Sequence, residues 1–180
     1  MLFRSNYMKI TWLGHSCFLL EDSKGIKLLT DPFDATLGYE LYNGSPDIVT
    51  ISHQHFDHNY TKELMGNYKI INEIGISTVY DISIKGIHSY HDKNKGAKRG
   101  DNIIFKFTID GYSVCHLGDL GHTLSNDDLC AIGSIDILFI PVGGNYIING
   151  KEASQITKKI NPKIVIPMHY KTSQASLPLD

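Results

Sequence analysis

Apolar residues in this chain fall in short runs, many of them alternating with polar positions, and most runs are broken by Gly, Asn or Asp. Alternation of that kind marks strands with one covered face. It predicts strands at Lys9 to Leu13, Cys17 to Leu20, Ile26 to Leu29, Asp47 to Ser52, Lys69 to Asn72, Ile82 to Ser89, Asn102 to Ile109, Tyr112 to Leu117, Asp136 to Pro141 and Lys163 to Pro167. The segments DIVTIS, DILFIPV and KIVIPM are almost continuously apolar, as strands covered on both faces are. In TIDGYSV, Asp110-Gly111 lies between two alternating runs and predicts a tight hairpin. Helical spacing is rarer. Ala153, Ile156 and Ile160 share one face of a helix predicted over Lys151 to Ile160 and stopped by Asn161-Pro162. Shorter helices are predicted at Tyr60 to Met65 and Ser125 to Ile132, the latter capped by Ser125 or Asn126. The elements imply a layered α/β core, and the lack of linkers or repeats implies one domain.

Composition narrows the function classes. With 180 residues, 42% hydrophobic and 20% charged, the chain can bury a sizeable core. A formal charge of -2 gives no global positive field for nucleic acid, so no nucleic-acid partner is expected. No apolar run approaches the ~20 residues of a membrane helix, and MLFRSNYMKI has no long apolar signal region, so a cytoplasmic protein with no membrane role is expected. Cys17, Cys115 and Cys130 form no CxxC pair and read as buried thiols.

The histidines change the picture most. DIVTIS runs into HQHFDH, IKGIHSY into His91, GYSVCHLG into Asp119, and KIVIPM into His169. Four strands therefore end in ligand-type residues, at the rim where sites are usually assembled. His53 and His55 leave an extended chain by the same face and can grip one ion; Asp57 and His58 follow where the chain turns and more easily serve a neighbouring ion. Imidazole with carboxylate suits zinc, or manganese or iron, rather than calcium or magnesium. A closed structural zinc site is disfavoured because no cysteine lies at this cluster.

His53-Gln54-His55-Phe56-Asp57-His58 resembles the HxHxDH motif of the metallo-β-lactamase superfamily, and TWLGHSCFLLE, LLTDPF, HLGDLGH, IPVGG and IPMHY extend the likeness over residues 8 to 172 in the family's order. Within it the chain looks most like small metal-dependent hydrolases related to L-ascorbate-6-phosphate lactonase and to the phospholipase D acting on N-acyl phosphatidylethanolamine. The resemblance implies a four-layer αββα sandwich with a dinuclear site at one edge. It assigns His53, His55 and His91 to one metal, Asp57, His58 and His169 to the other, and Asp119 as the bridge. His91 is preferred over His88 because it falls at the strand end, which leaves His88 and His116 as structural residues. Asp31 of TDPF matches an acidic position near the site, or else is a turn residue before Pro32. Members of this family commonly continue beyond the point where this chain stops, which reads as a shortened C-terminus; residues 1 to 7 read as an extension ahead of Met8.

Two zinc ions, the carboxylates of Asp57 and Asp119 and a bridging hydroxide would leave a charge of about +1, which favours anionic substrates. The expected activity is hydrolysis of a small ester, lactone or phosphodiester, with Asp57 orienting the nucleophile and His122 as general acid, His15 being the second candidate. Gly143-Gly144 reads as a turn or a close backbone approach, and the tyrosines of YELYNG as packing or cleft-wall residues. The competing readings are a metal-dependent oxidoreductase and a non-catalytic metal-binding protein on the same fold. The diiron flavoproteins of that first class carry an acidic residue where His55 stands, and the full ligand set argues against the second.

Overall fold

The computed structural model describes residues 7–176. The upstream extension read at residues 1 to 7 and the final SLPLD therefore fall almost wholly outside the described residues. Among the described residues, eleven strands form two sheets: β1 (Lys9–Gly14), β2 (Cys17–Glu21), β3 (Lys27–Thr30), β4 (Ile48–Thr50) and β5 (Lys69–Ile71) in sequence order, then β6 (Gly75–Val79), β7 (Ile82–Tyr90), β8 (Asp101–Ile109), β9 (Tyr112–His116), β10 (Ile137–Pro141) and β11 (Ile164–Met168) in the order β11-β10-β9-β8-β7-β6. Helix α1 (Asn126–Ile132) and helix α2 (Gly150–Ile160) both carry a capping box, from Ser125 with Asp128 and from Asn149 with Glu152. Each box satisfies the first free N–H groups of a helix too short to hold itself together.

Period-two alternation builds the sandwich. Phe18 and Leu20 of β2 point inward to meet Phe105, Phe107 and Phe139 of the other sheet, and the Phe18 and Phe139 rings stack at 4.1 Å. On the outer face of the six-stranded sheet, Cys115, Leu138 and Ile140 are covered by Ile132 of α1 and by Ala153 and Ile156 of α2. The outer face of the five-stranded sheet is covered by Phe33, Leu37 and Tyr39, from a 3-10 turn at Ala35–Leu37 and its flanking loops. The expected α/β sandwich is thus present, with α1 and α2 on one outer face and loop and 3-10 turn on the other.

Four local expectations are corrected. Tyr60 to Met65 is not helical: Met65 N–H donates to the Gly44 carbonyl, which pulls the chain into turns against the preceding loop. β6 was not expected, because its hairpin turns at Tyr80 and Asp81, both with positive φ (51° and 66°), where glycine or asparagine is the usual signal. The Asp110-Gly111 hairpin shows that geometry with its usual residues (49° and 79°). KIVIPM is not covered on both faces; β11 is an edge strand paired only with β10, and Ile164 and Val165 are exposed. Cys130 lies exposed on α1, whereas Cys17 and Cys115 are buried.

The topology decides where function can sit. β1, β3 and β4 run in one direction within their sheet, and β7, β9, β10 and β11 run in one direction within theirs. The C-terminal ends of both sets meet along one edge, where Ile103 N–H donates to Ser52 O and His169 N–H to His15 O.

The stacked phenylalanines join the two sheets at a site with no exposure, so Phe139→Ala should cost about 3–5 kcal/mol in urea unfolding of metal-stripped protein. Tyr112→Ala, at an exposed strand end, should change stability by no more than about 0.5 kcal/mol.

Candidate metal centre

Six strand ends deliver the site. His15 follows β1, Asp31 follows β3, the cluster from His53 to His58 follows β4, His91 follows β7, Asp119 follows β9 and His169 follows β11. His15, Asp31 and His169 are non-glycine residues with positive φ (51°, 40° and 54°), so the chain turns sharply as it leaves each of those strands.

The side chains converge in groups whose ligand atoms lie within 4.8 Å of one another: His53, His55 and His91; His15, Asp57, His58 and His169; and His53, His58 and Asp119. Donors around one ion in a tetrahedron at ~2.1 Å stand roughly 3.4 Å apart, so these spacings need little closure. Asp119 sits between the groups. Its Oδ2 is 3.1 Å from Nε2 of both His91 and His169 and 3.8 Å from His53 Nε2, while Oδ1 is 3.2 Å from His58 Nε2. His53 Nε2, His58 Nε2 and Asp119 Oδ1 are buried with no hydrogen-bond partner. A buried polar atom left unmatched costs about 1–3 kcal/mol, so several aimed at one another fit a metal, and the His and Asp donors are of the right chemistry.

The rings are aimed from behind. Asp31 Oδ1 accepts from Ser52 N–H at 2.7 Å, and Oδ2 accepts from Ser52 Oγ at 2.6 Å and from His58 Nδ1 at 2.9 Å. Because the Ser52 hydroxyl proton goes to Asp31, its oxygen is left to accept from His53 Nδ1 at 2.9 Å. One buried carboxylate thus turns Nε2 of two histidines towards the cluster. His91 Nδ1 donates to the Tyr146 carbonyl at 3.1 Å with the same result. Asp119 is placed by its backbone: its N–H donates to Asn102 Oδ1 at 2.9 Å, and Asn102 Nδ2 donates to Leu117 O and Ser89 Oγ. Gly118 must be glycine there, since a Cβ would lie 2.3 Å from Asn102 Oδ1.

Burial alone would raise the Asp119 carboxyl, but His169 and His58 hold it well below its ordinary range. Asp57 behaves likewise, held down by His58 and by His15, whose Nε2 lies 3.3 Å from Asp57 Oδ2. Burial pushes His53 down to about 3, helped by His58, and pushes His15 down to about 4, helped by His169. His58 moves the other way: burial opposes its charge, but Asp119 and Asp57 raise it well above the ordinary histidine range.

The structure brings His53, His55, Asp57, His58, His91, Asp119 and His169 together, and adds His15, whose Nε2 is 3.3 Å from Asp57 Oδ2. It does not bring in His122. That ring donates from Nδ1 to the Thr123 carbonyl at 2.8 Å and accepts at Nε2 from Tyr90 N–H at 3.2 Å, so it has no proton directed at the cluster, and it does not line the cleft. These contacts lend no support to the general-acid role expected of His122. His88 faces away from His91 and pairs at the surface with Asp101, while buried His116 bonds Ser16 O and Gly118 N–H. The tyrosines of YELYNG pack on the outer face of the five-stranded sheet rather than at the cleft. Gly143 is the close approach: a Cβ there would lie 2.1 Å from the carbonyl oxygen of His169.

The cluster floors an open cleft of about 420 Å³ whose other walls are Gln54, Phe56, Arg99 and Tyr146. Sequence reading missed Arg99 and Tyr146, which belong to loops and carry no periodicity. Asn102 and Ser52 were missed too, as polar ends of apolar strands; a buried-strand asparagine opposite a serine was the available signal.

Residues 9–169 match the family described as the β-lactamase superfamily domain. A UPF0173 metal-dependent hydrolase of Methanosarcina mazei is 33% identical over 200 residues, covering 92% of this chain and 84% of that protein. A Thermotoga maritima crystal structure, described as a candidate Zn-dependent hydrolase of the metallo-β-lactamase superfamily, is similar at 45% identity and a TM-score of 0.79, covering 93% of this chain and 78% of that one. A diiron β-hydroxylase of Streptomyces venezuelae, 13% identical with a TM-score of 0.67 over 91% of this chain and 45% of its own, shares the fold alone. With the matched region running from the first strand to the histidine after the last, this chain belongs to the metallo-β-lactamase superfamily.

Proposed function

We propose that the protein is a zinc-dependent hydrolase that holds two ions and cleaves a small anionic ester, lactone or phosphodiester. The observation that carries this reading is two donor groups at the floor of an open cleft, one of His53, His55 and His91 and one of Asp57, His58 and His169 with His15, with Asp119 3.1 Å from both His91 and His169. His53, His55 and His91 would hold one ion, Asp57, His58 and His169 the other, with Asp119 between them and His15 supporting Asp57. Bound zinc supplies Lewis acidity and hydroxide near neutral pH, which removes the need for a strong protein base. Asp57, held ionised and oriented by His15, is the group to align a nucleophile. His15 stays neutral at pH 7 and acts as a positioning group, not as an acid. Three imidazoles in the first group suit zinc, and a histidine at position 55, where the diiron flavoproteins carry an acidic residue, weighs against the oxidoreductase reading. The full donor set also weighs against a binding protein without turnover.

A screen of lactones, phosphodiesters, thioesters and β-lactams on zinc- and manganese-loaded protein tests this reading. Turnover should appear with one class and fall at least about 100-fold in Asp119→Ala, together with metal loss. Turnover that survives in a metal-depleted variant would overturn it. Replacing the carboxylate behind the ligands, Asp31→Asn, keeps a residue that tolerates the left-handed backbone but removes one acceptor. Metal affinity should weaken about 10–100-fold in competition with a chromophoric chelator, with circular dichroism unchanged. Because Asp119 and Asp57 favour the protonated form of His58 in the metal-free protein and ligation requires the neutral ring, metal uptake should release protons. Calorimetry in buffers of different ionisation enthalpy measures this, and metal affinity should climb as pH rises from 6 to 8.

A further inference from the structure

The residues from Asp92 to Gly100, DKNKGAKRG, follow directly on the ligand His91 and carry four cationic side chains, at Lys93, Lys95, Lys98 and Arg99. They contain no strand or helix, yet they are not loose. The Asp92 carboxylate accepts backbone N–H bonds from Asn94 (2.6 Å), Gly96 (3.1 Å), Lys98 (2.8 Å) and Arg99 (2.8 Å). Both ends are tied as well, since His91 N–H donates to Gly100 O and Gly100 N–H to Gly96 O. A loop wired through one carboxylate presents its side chains from a fixed base, and it does so one residue beyond the metal cluster.

Arg99 is the cation that this loop turns to the cleft. Its guanidinium carbon lies 3.9 Å from the centroid of the Tyr146 ring. Stacking uses the flat face of the guanidinium and leaves its N–H edge free for a planar or tetrahedral anion. Among the described residues no carboxylate stands within ion-pair distance of Arg99, whereas Lys93 is paired with Glu152 at 2.6 Å. Arg99 therefore presents an unpaired guanidinium at the wall of the cleft that contains His55, Asp57, His91 and Asp119. It also borders two adjoining hollows of about 570 Å³ and 330 Å³, so it stands where a substrate reaching beyond the metals would pass.

We propose that Arg99, shelved on Tyr146, is the specificity determinant that binds a second anionic group, a carboxylate or phosphate carried by the substrate away from the bond that is cleaved. This rests on the reading of the cleft as a metal-dependent hydrolytic site, and it adds what that reading lacks: a substrate with two polar ends, one at the metals and one at the guanidinium. A residue that only packs against Tyr146 would not discriminate between ligands differing in charge at the far end.

Matched metal-binding probes separate these outcomes without turnover. Acetohydroxamate, succinic monohydroxamate and the phosphonate analogue of the latter are titrated calorimetrically into metal-loaded wild type, Arg99→Ala and Arg99→Lys. One or both anionic probes should bind wild type about tenfold or more tightly than acetohydroxamate, the scale of one charge-assisted hydrogen bond. Which of the two gains more identifies carboxylate or phosphate. Arg99→Ala should bring the gain below about twofold while acetohydroxamate affinity and metal content stay at wild-type values, and Arg99→Lys should keep part of it. Equal binding of all three probes to wild type, or a gain that persists in Arg99→Ala, overturns the proposal. If Arg99→Ala does not fold, the comparison in Arg99→Lys and Tyr146→Leu decides: an undiminished gain in both overturns it. Failure of acetohydroxamate to bind sinks the metal cleft and the anchor together. Discrimination between probes with no ester, lactone or phosphodiester turned over sinks the hydrolase reading and leaves the anchor standing.

Discussion

A carboxylate buried at the junction of two sheets, on the floor of the cleft, is the constraint on which the rest of the molecule depends. Asp119 is 2% exposed, and an isolated ionised carboxylate in such a place would be prohibitively costly. It is tolerated because imidazoles reach it from both sheets: His53 and His58 from the end of β4, His91 from β7, and His169 from β11. Each sheet edge must therefore stop at the right height, and the sheets must meet in one register. The direct links at that edge, Ser52 to Ile103 and His15 to His169, enforce this in the backbone.

The same economy explains where strain is stored. Three site residues accept left-handed backbone without being glycine, at a cost of order 1–3 kcal/mol each. They sit beside strands whose cores are fully packed, so the rigid sandwich can hold them. Behind them, Asp31 and the Tyr146 carbonyl fix which nitrogen of each ring faces the cluster. The chemistry is assembled from parts that individually disfavour folding, supported by a hydrophobic interior that does not take part in it.

Much of this was readable from residue order, and the physical reason is periodicity. Ten of the eleven strands announce themselves, most by alternation and three by near-continuous apolar runs, and the ligand histidines are legible because they follow apolar runs, where polar residues need a purpose. β6 escaped because its turn uses Tyr80 and Asp81, and the supposed helix at Tyr60 to Met65 failed because a tertiary hydrogen bond to Gly44 overrode its local pattern. His122 looked catalytic from its spacing to Asp119, but no spacing rule says that two backbone groups will occupy both of its nitrogens. Arg99 was invisible for the opposite reason: its meaning lies wholly in Tyr146, forty-seven positions away in the chain.

The gathering of donors from both ends of the chain also has a temporal side. His15 and His169 lie against each other, ring centroids 3.9 Å apart, although nearly the whole polypeptide separates them. During synthesis the compact cluster from His53 to His58 emerges long before the last strand can dock. A growing chain can therefore offer a cation only a partial, low-affinity grip, and full coordination is deferred until β11 closes the edge. Metal loading would then follow completion of the fold, because His169 joins its group only when β11 is in place.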